Sequence, residues 1–191
     1  MDMEYFVIYD VMTGKDVTRS SGPPGTAQVQ YLGDDRAIIT VDPLWYEQKE
    51  PIAALPLEAA QAALWGHAKT IRDSLVFAGA MTSRGAVETT PYSITMLSVK
   101  RALASSANPD TEMSFTMADN SVVTMFADDL VEMIDEALAW IDSIHEYGRT
   151  LRQRIYAAET TLDAIKVDVF RGWPIIVPVA APVPEEEPSA G

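Results

Sequence analysis

The chain has 191 residues, of which 48% are hydrophobic, and it carries a formal net charge of −14. It is therefore long enough for one or two small domains with an apolar core. Ten acidic residues and no lysine or arginine lie between Arg101 and Arg149. This stretch would repel phosphate backbones, so nucleic-acid binding is not expected.

Composition also argues against several kinds of chemistry. The chain has no cysteine and only two histidines, His67 and His145, which disfavours disulfides, thiolate nucleophiles and metal sites built on cysteine or clustered imidazoles. The N-terminus lacks a basic region followed by an apolar core, and no uncharged apolar run reaches the roughly 18 residues of a membrane span. We therefore expect synthesis in a cytoplasm, with no signal peptide and no contact with a membrane.

Residues 1–50 are predicted to form a small antiparallel β unit. The segments with apolar or alternating character are Tyr5–Tyr9, Asp16–Arg19, Ala27–Leu32 and Arg36–Val41. The turn at Gly33–Asp35 should pair the last two segments as a hairpin. Trp45 and Tyr46 either begin a further strand or lie across the sheet. Three or four short strands are marginal alone, so the unit should lean on helices or a partner.

Residues 57–173 are predicted to form a three-helix, coiled-coil-like domain after a linker at 51–56. The first helix begins at Leu57, and a second is capped by Thr90 with Pro91 at its first position. A β-hairpin at 113–125 is inserted before a long helix at 127–159, and Thr160–Ile165 adds a last helical turn. Residues 174–191 read as an extended, proline-rich acidic tail. The predicted fold class is therefore α+β.

The long helix carries an apolar seam at alternating steps of four and three, the heptad spacing of helices packed side by side. The residues predicted to pack or assemble are Leu130, Ile134, Ile141, Ile144, Gly148, Leu151 and Ile155. The first helix has the same spacing, so it should pack on the seam, although the spacing also permits self-association. Gly148 marks either a close approach by a neighbour or an inert kink.

No catalytic arrangement is evident in the sequence, and the chain is predicted not to be an enzyme. It has no Gly-x-Ser-x-Gly turn, phosphate loop or dinucleotide glycine pattern. The glycine-bracketed loop Gly79–Gly85 follows a helix and reads as an ordinary turn between helices, after which Ala86–Glu88 can form a short strand. The row of acids on the long helix, such as Asp128 with Glu132, is interpreted as a solvated face. We expect no catalytic residue, cofactor or metal ligand.

The segment from about Ser74 to Pro174 resembles an uncharacterised helical C-terminal domain found in tail and tail-fibre-associated proteins of tailed bacteriophages. The resemblance rests on Val87–Thr90 before a helix that ends Lys100–Ala104, on the hairpin at Phe115–Val123, and on the sequences Leu151–Ala158 and Gly172–Pro174. The first forty residues also resemble the β leader of such proteins. The chain departs from the family pattern at Thr90 and Pro91, where an aspartate is usual, and this affects only a helix cap.

The resemblance implies a structural component of the virion tail, at the tail tip, baseplate or fibre attachment, made in the host cytoplasm. Its partners would be other phage tail proteins and copies of itself, with a trimer as one form. The alternative is a non-virion factor that assists assembly of tail fibres and then leaves. In the tail of the chain, Ile175, Ile176, Val177 and Val179 are predicted to dock on a neighbouring subunit.

Overall fold

The computed structural model describes residues 3–30 and 32–175, and they form an α+β fold with small antiparallel sheets. The strands are β1 (Glu4–Asp10), β2 (Asp16–Gly22), β3 (Arg36–Val41), β4 (Ala80–Thr82), β5 (Gly85–Val87), β6 (Glu112–Thr116) and β7 (Val122–Phe126). The α-helices are α1 (Pro43–Gln48), α2 (Leu57–Phe77), α3 (Pro91–Ser106), α4 (Ala127–Tyr156) and α5 (Thr161–Ile165). The predicted fold class is confirmed.

The N-terminal sheet has three strands in the order β2-β1-β3. The turn between β1 and β2 is held by Asp10, whose carboxylate accepts hydrogen bonds from the backbone N–H and the hydroxyl of Thr13, both at 2.7 Å. The strand predicted at Ala27–Leu32 was wrong, because Ala27–Val29 is a short 3-10 helix that buries Ala27. β3 consequently pairs with β1, with Val7 opposite Ile39, and not with the preceding segment.

Trp45 and Tyr46 lie in α1, so the strand predicted there was wrong. The alternative, a position across the sheet, is confirmed, because the Tyr46 ring lies 5.0 Å from the Tyr5 ring on β1 and the Arg19 guanidinium on β2 lies over the Trp45 ring. Asp42 caps this helix by accepting a hydrogen bond from the Leu44 N–H at 2.8 Å, and Pro43 occupies the first turn. The helix ends at Lys49, which adopts the left-handed conformation with φ of 57°. The sequence Asp42-Pro43 favours the start of a helix, and this preference outweighed the strand preference of the two aromatic residues.

Residues 51–56 are not a free linker. They contain a 3-10 helix, Ile52–Ala54, and the side chains of Ile52 and Leu55 are buried. The hydroxyl of Thr161 donates a buried hydrogen bond to the Leu55 carbonyl at 2.7 Å. This segment is anchored because its apolar side chains and its backbone both find partners.

The chain divides into two compact units, and the division differs from the predicted boundary at 51–56. The described parts of Met1–Leu75 and Ser143–Pro174 form unit 1, and Val76–Asp142 form unit 2. The division therefore falls inside α2 and α4, and the N-terminal sheet belongs to the same unit as most of α2. None of the helices in the described residues combines the length and the apolar character needed to cross a membrane.

Unit 1 joins the N-terminal sheet to α2, the second half of α4, and α5. The amide of Gln61 on α2 donates to the Ile155 carbonyl at 3.2 Å, while Leu64 and Leu151 are fully buried. The Tyr9 hydroxyl donates to the Ile165 carbonyl at 2.9 Å and so ties β1 to α5. α2 and this half of α4 therefore meet, as the shared spacing predicted.

Unit 2 contains the β4–β5 hairpin, α3, the β6–β7 hairpin and the first half of α4. Its core consists of Ala80, Val87, Leu97, Ala104, Met117, Ala127, Leu130, Met133, Ile134 and Ala137. Thr89 closes the end of α2, since its hydroxyl donates to the Val76 carbonyl at 2.5 Å and accepts from the Gly79 N–H at 3.0 Å. The segment after α2 is thus a hairpin: β5 overlaps the short strand predicted at Ala86–Glu88, whereas the simple turn predicted at Gly79–Gly85 was wrong because it contains β4.

Candidate interaction surface

The residues predicted to pack or assemble through the long helix are all buried. A Cβ built on Gly148 would lie 3.4 Å from Cδ of Arg72 and 3.7 Å from the ring of Trp173. This is a close approach by side chains, which favours the first of the two interpretations of Gly148. Because the seam is covered within the chain, it is not available for a partner.

Most of the predicted tail-docking residues lie outside the described part of the chain. Ile176, Val177 and Val179 lie outside the described residues. Ile175 is described and is 80% exposed. A candidate interaction surface must therefore be found elsewhere on the molecule.

Helix α3 begins as the sequence predicted, and its inner face holds it in unit 2. The Thr90 hydroxyl accepts a hydrogen bond from the Ser93 N–H at 3.3 Å, with Pro91 at the first helical position. Leu97 and Ala104 are buried in the core of unit 2. Arg101 forms two hydrogen bonds to the Asp135 carboxylate on α4, at 2.5 and 3.0 Å.

This ion pair shifts the pKa values of both partners. Its hydrogen bonds lower the pKa of the Asp135 carboxyl and raise the pKa of the Arg101 guanidinium. The two groups are solvent-exposed, so their contribution to stability is small. The pair fixes which face of α3 turns towards α4.

The outer face of α3 is apolar and exposed. Its residues follow each other at steps of four, three and four: Tyr92, Met96, Val99 and Leu103, with exposures of 75%, 39%, 46% and 55%. We call these four residues the α3 stripe. A row of large apolar side chains at this spacing is the pattern that helices use to pack on a partner.

A cavity flanks the α3 stripe where α3 meets β6. Its volume is about 310 Å³, and it is lined by Glu88, Tyr92, Ser93, Met96, Leu97, Lys100, Ser114, Phe115 and Thr116. We call it the α3 groove. The Lys100 ammonium donates to the Ser114 carbonyl at 3.2 Å and so links the helix to the strand.

The β6–β7 hairpin was predicted correctly and forms the second wall of the surface. Phe115 and Val123 face each other across the strands and pack against the core of unit 2. On the opposite face of the hairpin, Val122 and Phe126 are exposed. Apolar side chains thus remain uncovered on both α3 and β7.

The acidic face of α4 is only partly the solvated row that was predicted. Arg84, in the β4–β5 turn, contacts Asp129 at 2.6 Å and Glu132 at 3.3 Å. Glu136 accepts hydrogen bonds from the N–H and the hydroxyl of Ser83, at 2.6 and 2.8 Å. These acids attach the turn to α4, and Arg84 was the sequence signal that could have revealed it.

A second cavity lies in unit 1 beside the one buried histidine of the described residues. It has a volume of about 250 Å³ and is lined by Gln28, His67, Thr70, Ile71, Ser74, Leu75 and Phe170. The Thr40 N–H donates to Nε2 of His67 at 3.4 Å, and burial lowers the pKa of this imidazole, against a smaller opposing effect of Glu4. The neutral imidazole accepts this hydrogen bond and so provides a partner for a backbone N–H group on the edge strand β3.

His67 has no catalytic partner group around this cavity, whose other polar linings are hydroxyls and an amide. Within the part of the chain that the structure describes, no three acidic or histidine side chains converge so that they could hold a metal ion. His145 is half-buried on α4. The α3 stripe with its groove is therefore the best-developed candidate site. It was not predicted from the sequence, although the four-three-four spacing of Tyr92, Met96, Val99 and Leu103 is a signal that could have revealed it.

Comparison with known proteins places the chain in a family without assigning it an activity. No curated protein and no solved structure is significantly similar to the chain. Residues 59–169, more than half of the chain, match the family described as a domain of unknown function, DUF4376. This range includes α3 and β6, and hence the α3 groove, but not the N-terminal sheet. The chain therefore belongs to the DUF4376 family.

Proposed function

We propose that this protein is a structural component of a bacteriophage tail, at the tail tip, baseplate or fibre attachment, and that it acts by protein-protein assembly. The observation that carries the proposal is the α3 stripe, an ordered row of exposed apolar side chains on a helix whose other face is firmly anchored. The placement in a phage tail comes from the resemblance described above.

Physical considerations support an assembly role for this surface. Tyr92 and Leu103 expose more than half of their side chains, and contiguous apolar surface of this kind favours association because its burial removes it from water. Tyrosine and methionine are also enriched where proteins meet. The anchored inner face would let the stripe bind a partner without a large conformational change.

The proposal includes other tail proteins and copies of this chain as partners, with a homo-oligomer such as a trimer as one form. Because the seam of α4 is buried, a contact between copies would use the α3 stripe. Light scattering at micromolar concentration should then give an oligomeric mass for the native protein. A stable monomer would remove self-association from the proposal and leave tail proteins as the partners.

The alternative is a non-virion factor that binds fibre proteins during assembly through the same surface and then leaves. Quantitative mass spectrometry of gradient-purified virions separates the two. A constant copy number per particle, equal after repeated purification, is expected for a structural component. Presence in infected lysates with loss from purified particles would favour the assembly factor, and absence from both fibre complexes and particles would contradict both.

A further inference from the structure

The α3 groove combines an apolar floor with aromatic walls and two charged side chains. Leu97 is 2% exposed and forms the floor, while Tyr92 and Phe115 contribute rings. Two charged side chains also line it: Glu88, which lies just before α3, and Lys100, which lies on the helix. Aromatic-lined grooves of this kind bind proline-rich segments, whose extended conformation is already formed before binding.

The groove is lined by one acidic and one basic side chain, Glu88 and Lys100, and α3 itself adds no acid. Residues 89–109 contain no aspartate or glutamate and two basic residues, in a chain with a net charge of −14. Arg101 is engaged with Asp135, whereas Lys100 points to the groove. An ammonium group has three N–H donors, so Lys100 can bind a carboxylate while it keeps its bond to Ser114.

We propose that the α3 groove binds the segment 181–187 of this chain, Ala-Pro-Val-Pro-Glu-Glu-Glu. Its Pro182 and Pro184 would lie on the rings of Tyr92 and Phe115, and Glu185 would pair with Lys100. The segment belongs to residues 176–191, which lie outside the described part of the chain. In the segment the prolines precede the acidic residues. This order matches a groove in which the prolines contact the aromatic rings and the first glutamate contacts Lys100.

The dimensions agree with this assignment. Tyr92 and Lys100 are eight residues apart on α3, which corresponds to about 12 Å along a helix axis. The three steps from Pro182 to Glu185 span about 9 Å in polyproline II conformation. The long side chains of Glu185 and Lys100 would bridge the remaining distance of about 3 Å, so a proline can lie at one end and a carboxylate at the other. The segment would run along α3 in the direction of the helix.

This inference names a partner for the surface on which the proposed function rests, but its test needs neither virions nor other tail proteins. The full chain has no cysteine, so an introduced pair supplies the only thiols. We would combine Met96→Cys in the groove with Val183→Cys in the segment. The matched control combines Ser98→Cys with Val183→Cys, because Ser98 is exposed on α3 and lies about 200° around the helix from Met96.

Under mild oxidation of the purified full-length variants, the pair at 96 and 183 should form its disulfide at least about tenfold faster than the control pair, since docking raises the effective concentration of the two thiols. On a non-reducing gel with peptide mapping of the linked residues, a monomer joined between 96 and 183 would assign the segment to its own chain, and a dimer joined between 96 and 183 would assign it to a second copy. Either product at the enhanced rate supports occupancy of the groove. Equal rates for the two pairs would overturn the proposal.

A charge exchange gives an independent measurement. Adding Lys100→Glu to the pair at 96 and 183 should slow disulfide formation, and further replacement of Glu185, Glu186 and Glu187 by lysine should restore it. Circular dichroism melting of each variant checks that the fold is retained. A rate of disulfide formation that does not change with the charge at position 100 would contradict the proposed pairing of Glu185 with Lys100. Absence of the protein from virions would contradict the proposed function but would not change the disulfide rates, which are measured on the purified protein.

Discussion

Helices α3 and α4 carry apolar residues at the same alternating spacing, yet the row on α4 is buried and the row on α3 is exposed. The seam of α4, including Leu130, Ile134 and Ile144, is fully buried. The α3 stripe is exposed, although α3 lies beside the first half of α4 in unit 2. Spacing thus shows that a helix has an apolar face, whereas the number of neighbouring elements decides whether that face is covered.

The two halves of α4 show how such cover is supplied. In unit 2, α3 and the two hairpins pack on the N-terminal half of α4. In unit 1, α2 reaches the C-terminal half through Gln61 and Ile155. A helix of 30 residues is about 45 Å long, so one neighbour of ordinary length cannot cover it. α3 has no such second neighbour on its outer face within the described residues.

The largest effect is expected where an acid enters the seam. Ile134→Asp should lower the free energy of unfolding by on the order of 4 kcal/mol, because Ile134 is fully buried and a carboxylate there would lack a partner. Leu103→Asp on the α3 stripe is the matched control and should cost less than about 1 kcal/mol, mostly helix propensity. Urea denaturation measures both. Equal losses would show that the stripe is as buried as the seam.

A buried hydroxyl should matter more than an exposed one. Tyr9→Phe removes the hydrogen bond to the Ile165 carbonyl and leaves that carbonyl buried without its donor, so we expect a loss of about 1–3 kcal/mol. Tyr92→Phe on the exposed stripe should change stability by less than about 0.5 kcal/mol. Thermal melting of the two variants compares them directly. A Tyr9→Phe protein as stable as the parent would show that the bond contributes nothing net.

Acid should weaken unit 1 through its buried histidine. The unfolded chain protonates His67 near the ordinary pKa of 6.5, whereas burial lowers the pKa in the folded state. Below this pH the unfolded state binds more protons, so stability falls as pH decreases, by at most about 1.4 kcal/mol per pH unit from this group. His67→Gln should remove that part of the slope between pH 6.5 and 5. If the dependence of stability on pH were the same in the variant, carboxylates and not His67 would cause the loss of stability in acid.

The smallest effect on stability should come from the α3 stripe itself. Val99→Gln combined with Leu103→Gln should leave the unfolding free energy within about 0.5 kcal/mol of the parent, because both residues are exposed and glutamine suits a helix. The same variant should associate less in light scattering and be depleted from virions. Leu97→Gln, on the buried side of α3, is the control that should destabilise the fold. Undiminished incorporation would contradict an assembly role for the stripe.

The sequence by itself determined most of the helices and one of the hairpins. The Thr90 and Pro91 start of α3, the seam of α4 and the hairpin predicted at 113–125 depend on local geometry, which neighbouring residues along the chain dictate. The predicted long helix differs from α4 only at its end, Tyr156 in place of residue 159. The predicted last helical turn is α5, capped by Thr160.

Tertiary structure decided the features that depend on partners distant in sequence. β3 pairs with β1 and not with the segment before it, because Ala27–Val29 forms a 3-10 helix and offers no strand for pairing. The 51–56 segment looked like a linker because its anchor, Thr161, is 106 residues from Leu55. Exposure of the α3 stripe followed the same rule, since a sequence shows that side chains are apolar but not how many elements remain to cover them.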